Sequence, residues 1–148
     1  MPYKAEFIER IFFIRWDAPP SSTETAEVLE KLSEGAERLG PGPLAFVCSV
    51  SPSAKLPDAR QRQHIHQILE AVRGRSFRSV HMIFEGNELQ LIAQRLIMQA
   101  VMVLARIAEP SIVQIHGRAE PAEQHLTDLF GLDVPALFRR ARERELLA

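Results

Sequence analysis

From Leu44 to Val50 the chain reads LAFVCSV, closed on one side by Gly40-Pro-Gly-Pro43 and on the other by Ser51-Pro-Ser53. A strand with one face in water alternates apolar and polar residues. A short unbroken apolar run needs apolar cover on both faces. Such strands belong mostly to parallel sheets, whose crossover connections lay helices over the sheet. The rest of the chain must therefore supply more strands and the helices between them.

It supplies both. FIERIFFIRW (7–16) is rich in β-favouring residues and reads either as two short strands around a Glu9-Arg10 turn or as one long strand. Asp17-Ala-Pro-Pro20 ends it. Ser21 and Glu24 have capping-box spacing, and Leu29, Leu32, Ala36 and Leu39 recur at helical spacing up to Gly40. A second helix follows the 51–58 loop, with Pro57 in its first turn, Asp58 at its positive end, Ile65, Ile68, Leu69 and Val72 as its buried stripe, and Gly74 as its stop. FRSVHMIF (77–84) and SIVQIHG (111–117) read as further strands. Asn87 is positioned to cap a third helix over 87–110, and two C-terminal helices span about 121 to 147 around Gly131-Leu-Asp133. Strands alternating with helices predict one α/β domain over 1–148. Its sheet is mainly parallel, four- to five-stranded, with an N-terminal hairpin or edge strand and flanking helices.

The 148 residues can enclose a core, and 46% hydrophobic with 25% charged residues excludes a disordered chain. A net charge of −1 gives no long-range attraction for nucleic acid or anionic membrane. The N-terminal segment MPYKAEFIER has no apolar signal core, which points to the cytoplasm. The 87–110 segment is apolar around most of its circumference, with Arg95, Gln99 and Arg106 in one stripe. Its glutamines and arginines argue against a membrane span. Either the C-terminal helices cover it or it forms a homodimer contact, with Leu91, Met98 and Met102 at the interface. The two methionines read as packing filler rather than a cofactor site.

Chemistry-bearing motifs are scarce. Cys48 stands alone in the apolar run, so neither an intramolecular disulfide nor a cysteine-pair metal site is available. His64 and His66 diverge on a helix, His81 and His116 lie in different strands where they could meet if those strands are neighbours, and His125 lies in a C-terminal helix. The five read as scattered, with no metal-ligand spacing, and no cofactor is implied. There is no Gly-x-Ser-x-Gly and no phosphate-binding glycine loop, so no catalytic residue is assigned. The basic run FRRARERE (138–145) is balanced by its own glutamates and reads as a solvated helix face.

Position offers more than motif. Parallel α/β sheets place their binding sites at the carboxyl ends of strands. Ser51, Ser53, Asp58, Glu85 and Asn87 fall there, with Arg60 and Arg62 just inside the second helix. Taken singly these are turn and cap residues. Together they make a candidate partner-binding rim.

The layout resembles the STAS fold of anti-sigma-factor antagonists and sulfate-transporter tails. The segments carrying the resemblance are FIERIFFIRWDAPPSS, TAEVLEKLSEGAERL, LAFVCSV, SPSAKLPDARQRQHIHQIL and SVHMIFEGN. The resemblance implies a STAS-like fold and a serine switch at the start of the second helix, where phosphorylation controls partner binding. In that family the serine sits in Asp-Ser-Ser-Gly; here SVSPSAKLPDAR offers Ser51 and Ser53 in a longer loop without that pattern. The expectation is a non-catalytic regulatory or protein-interaction module. The alternatives are a small-molecule binder or enzyme with a pocket between the same loops, and a structural subunit dimerising through 87–110.

Overall fold

The computed structural model describes residues 3–75, 77–86, 92–93, 96, 113–131 and 133–148. Strands β1 (Tyr3–Ile8), β2 (Ile11–Trp16), β3 (Leu44–Val50), β4 (Phe77–Phe84) and β5 (Val113–His116) form one sheet in the order β1-β2-β3-β4-β5. β1 and β2 are an antiparallel hairpin closed at Glu9-Arg10, and every later pairing is parallel. The expected α/β architecture with an antiparallel edge is therefore the observed one.

Helices α1 (Ser22–Leu39) and α2 (Ala59–Arg73) cover one face of the sheet, and α3 (Glu120–Phe130) and α4 (Val134–Glu143) cover the other. Strand alternation divides the apolar residues between them. Phe12, Ile14, Phe46 and Cys48 meet Val28, Leu32, Ile68 and Leu69; Ile11, Phe13, Ala45 and Val47 meet Leu126, Leu137 and Phe138. This explains why LAFVCSV is unbroken: both of its faces are core.

Local signals set the helix ends. Ser21 accepts a hydrogen bond from the Glu24 N–H while the Glu24 carboxylate accepts from the Ser21 N–H, the capping box read from the spacing. Asp58 and Gln61 repeat the motif on α2. Asp58 is thus the cap and Pro57 precedes it, two residues before the first helical residue, Ala59, rather than in the first turn expected for it. Asp58→Ala is expected to cost about 1 kcal/mol, because one helix donor loses its acceptor. Chemical denaturation checks this. At the other end of α1, the Arg10 guanidinium donates to the carbonyls of Leu39 (3.0 Å), Gly40 (3.1 Å) and Pro43 (2.9 Å), so the hairpin turn closes the helix terminus. Where α1 crosses β1, a Cβ at Gly35 would collide with the Phe7 ring.

Among the described residues no helix is long and apolar enough to cross a membrane. Asn87, Leu91, Met98 and Met102, with the cap and interface expected of them, lie outside the described residues.

Candidate functional site

The carboxyl ends of β3 and β4 emerge side by side. The Glu85 N–H donates to the Val50 carbonyl at 3.0 Å, and the Ser51 N–H donates to the Trp16 carbonyl at 2.9 Å. The 51–58 loop is held from within. The Ala54 N–H reaches the Ser51 carbonyl (3.0 Å), the Ser53 N–H reaches Ser51 Oγ (3.3 Å), and the two serine hydroxyls lie 2.9 Å apart. Asp58 caps α2, and Arg62 donates to the Pro57 carbonyl at 3.1 Å. Ser51 is buried, whereas Ser53, Asp58 and Arg60 are exposed.

Glu85 joins a different group. Its carboxylate accepts from Ser49 Oγ (2.7 Å) and from the Arg15 guanidinium (3.1 Å), with Asp17 a further 3.8 Å contact of Arg15. Ser49 and Glu85 share strand parity with Ile83, which packs under α3 and α4, and they line a hollow of about 220 Å³ with Arg118 and Arg142. The sheet edge thus divides the expected rim. Ser51, Ser53, Asp58, Arg60 and Arg62 stand on the α2 side, and the Glu85 side chain stands on the α3–α4 side.

Beneath the 51–58 loop lies an apolar cavity of about 70 Å³, walled by Trp16, Pro19, Pro20, Phe46, Cys48 and Met82, with Lys55 as its charged lining residue. Burial pushes the Cys48 thiol up to about 12. It therefore stays protonated at neutral pH and is no nucleophile. Next to this cavity Leu56 projects with 49% of its surface exposed. Leu56 is not among the rim residues expected from the sequence. Its signal was a lone large apolar side chain in an otherwise polar segment.

Three of the five histidines, expected to be scattered, come together under α3. His81 Nδ1 lies 3.0 Å from His116 Nε2, and His81 Nε2 lies 3.2 Å from His125 Nδ1. Ser79 Oγ is 2.6 Å from His81 Nε2 and 3.4 Å from His125 Nδ1. Adjacency of β4 and β5 brings His81 and His116 together, as the strand reading allowed; His125 arrives from the helix. Burial, then the neighbouring His116 and His125, lowers His81 to about 3, so its imidazole is neutral at pH 7. The other two histidines stand apart: His64 Nδ1 contacts the Pro20 carbonyl at 3.0 Å, and His66 sits 3.4 Å from the Glu70 carboxylate.

Ser79, His81 and His116 have the connectivity of a nucleophile, base and orienting group. Burial rules out that chemistry here, because Ser79 is 1% and His81 0% exposed, leaving a substrate no approach. The chain of contacts also uses both nitrogens of His81, so the three rings do not converge on one point. Among the described residues no set of three His, Cys, Asp or Glu side chains could hold a metal ion.

These features define an α/β protein whose polar loops crown a narrow apolar cavity and whose interior carries a closed imidazole chain. No family model, curated protein or solved structure matches the chain.

Proposed function

We propose that this chain is a non-catalytic regulatory module of STAS type that binds a protein partner through the α2-side rim, residues 51–60. The observation that carries the reading is Leu56. It is a half-exposed leucine on a loop pinned by its own hydrogen bonds, beside an apolar cavity and between charged Lys55, Asp58 and Arg60. An apolar centre with a charged border is the anatomy of a protein interface. A pre-ordered loop also loses little entropy on binding. The sequence of hairpin, helix, strand, loop-helix and strand agrees with the layout implied by the STAS resemblance. Of its two candidate serines, Ser53 is the hydroxyl open to a modifying enzyme, since Ser51 is buried.

The cavity supports a second reading, a small apolar ligand. At about 70 Å³ it is smaller than the roughly 150 Å³ of an apolar cavity that admits benzene. This suits an inserted aliphatic side chain better than a metabolite with polar groups to satisfy.

The test compares wild type with Leu56→Asp and Arg60→Glu in affinity capture from native lysate with quantitative mass spectrometry. Both positions are exposed, so folding stability should move by no more than about 0.5 kcal/mol. The reading predicts a protein retained by wild type and depleted about tenfold or more by Leu56→Asp. Equal retention by all three forms contradicts it.

A further inference from the structure

The apolar cavity under the 51–58 loop opens between two lips. Half-buried Ala18 and Pro19, after β2, form one; half-buried Pro57 and exposed Lys55, before α2, form the other. Both are tied to the body of the fold. The Ser51 N–H donates to the Trp16 carbonyl at 2.9 Å, and His64 Nδ1 on α2 lies 3.0 Å from the Pro20 carbonyl. Apart from Lys55 the walls are aromatic, aliphatic, proline and sulfur side chains, so an ordered water would find too few partners inside. An aliphatic group gains dispersion contacts from every wall.

The charge around this mouth is of one sign. Residues 51–69 carry three cations, Lys55, Arg60 and Arg62, against one acid, Asp58, although the whole chain has a net charge of −1. The Asp58 carboxylate is engaged as the α2 cap, accepting from the Gln61 N–H. Lys55, Arg60 and Arg62 form no ion pair among the described residues. Arg62 reaches the mouth itself, where it donates to the Pro57 carbonyl at 3.1 Å. The first turn of α2 adds the positive end of its dipole. Beside the other lip, the Asp17 carboxylate already faces Arg15 at 3.8 Å.

Building on the 51–60 rim as a protein-binding surface, we infer that its partner presents an extended acidic peptide, with one branched aliphatic side chain entering the cavity and a carboxylate beside it meeting Lys55. The chain rises about 3.3 Å per residue, so a carboxylate within two positions of the anchor falls inside the reach of a lysine side chain. Cavity and cation select different features of the same peptide. The cavity takes the shape of one side chain, and the cations reject a basic or neutral flank. Because both lips are fixed before binding, the peptide alone has to be ordered.

Selection of a displayed library of random short peptides on the full chain tests this. Trp16, the single tryptophan, lines the cavity, so its emission reports entry. Retained peptides are expected to carry Leu, Ile or Val with Asp or Glu within two positions, and to change Trp16 emission on titration. Ala54→Leu, which fills the cavity from its own wall, is expected to weaken the selected peptide about tenfold, the loss that about 70 Å³ of closed void implies. Lys55→Glu is expected to weaken it about tenfold or more. Lys55 is exposed, so this variant keeps its fold even if Ala54→Leu does not. An empty selection, selected peptides without the acid, or equal affinity of Lys55→Glu and wild type overturns the inference. A Trp16 response to xenon but to no selected peptide gives the cavity to a small apolar ligand, and one that follows the protein's own concentration gives it to a second copy; either overturns it too. The rim itself is judged separately, by whether Leu56→Asp loses the lysate partner, so the peptide chemistry can fail while the rim stands.

Discussion

Phe12→Ala is expected to remove about 3–5 kcal/mol of folding stability, a large part of what a domain of this size possesses. Phe12 is fully buried at the centre of an aromatic ladder running across the strands. Its register partners are Phe7 on β1 and Phe46 on β3. The Phe7 ring meets it edge-on at 4.9 Å, the Phe46 ring stacks on it at 5.7 Å, and Phe77 on β4 continues the ladder against Phe46 at 6.2 Å. Truncation therefore empties a ring-sized space that neighbours on three strands cannot close. It also removes the ring contacts that bind the antiparallel hairpin to the parallel part of the sheet. Urea denaturation with the slope held common to both proteins measures the loss. A value below about 1 kcal/mol would mean that the ladder does not hold the hairpin in place.

Acid should weaken the protein well before carboxylates titrate. His81 takes its proton near 6.5 in an unfolded chain and near 3 in the folded one, chiefly because burial penalises the charged ring. Between those values the unfolded state binds more protons. Stability is therefore full above pH 6.5 and declines as pH falls towards 3, by up to about 1.4 kcal/mol per pH unit. From pH 7.5 to 5.0 the expected loss is about 2 kcal/mol. Denaturant unfolding at the two pH values measures it, and His81→Gln, which cannot titrate, should flatten the difference. Equal stability at both values would place His81 in a wetter setting than its contacts describe.

The two results concern parts of the molecule that differ in how legible they were. The strands announced themselves by composition, and the starts of α1 and α2 by local signals, Ser21 with Glu24 and Asp58 at the positive end of its helix. These are short-range signals, complete within four residues. Strand order is a long-range property, so the meeting of His81 with His116 could be named only as a consequence of adjacency. His125 could not be foreseen, since no local pattern records where a helix docks on a sheet. The position of Glu85 was half legible. Its adjacency to the 51–58 loop followed from neighbouring strands, but its parity with Ile83 turns the side chain towards Ser49 and Arg15 instead. Arg15 and Ser49 had no motif to mark them beyond being polar residues in apolar strands. Leu56 carried no signal beyond being a lone large apolar side chain among turn residues, and its place beside a cavity needed the fold.

The central claim is that the 51–60 rim meets a protein. A photoreactive amino acid placed singly at position 56 tests this most directly, with position 129 as the control. Leu129 is a comparably exposed leucine, 44% against 49%, on α3 at the far face of the sheet. Illumination in native lysate is expected to give one discrete adduct from position 56 and none of that mass from position 129. Adducts of equal yield from both positions, or none from position 56, would contradict the account.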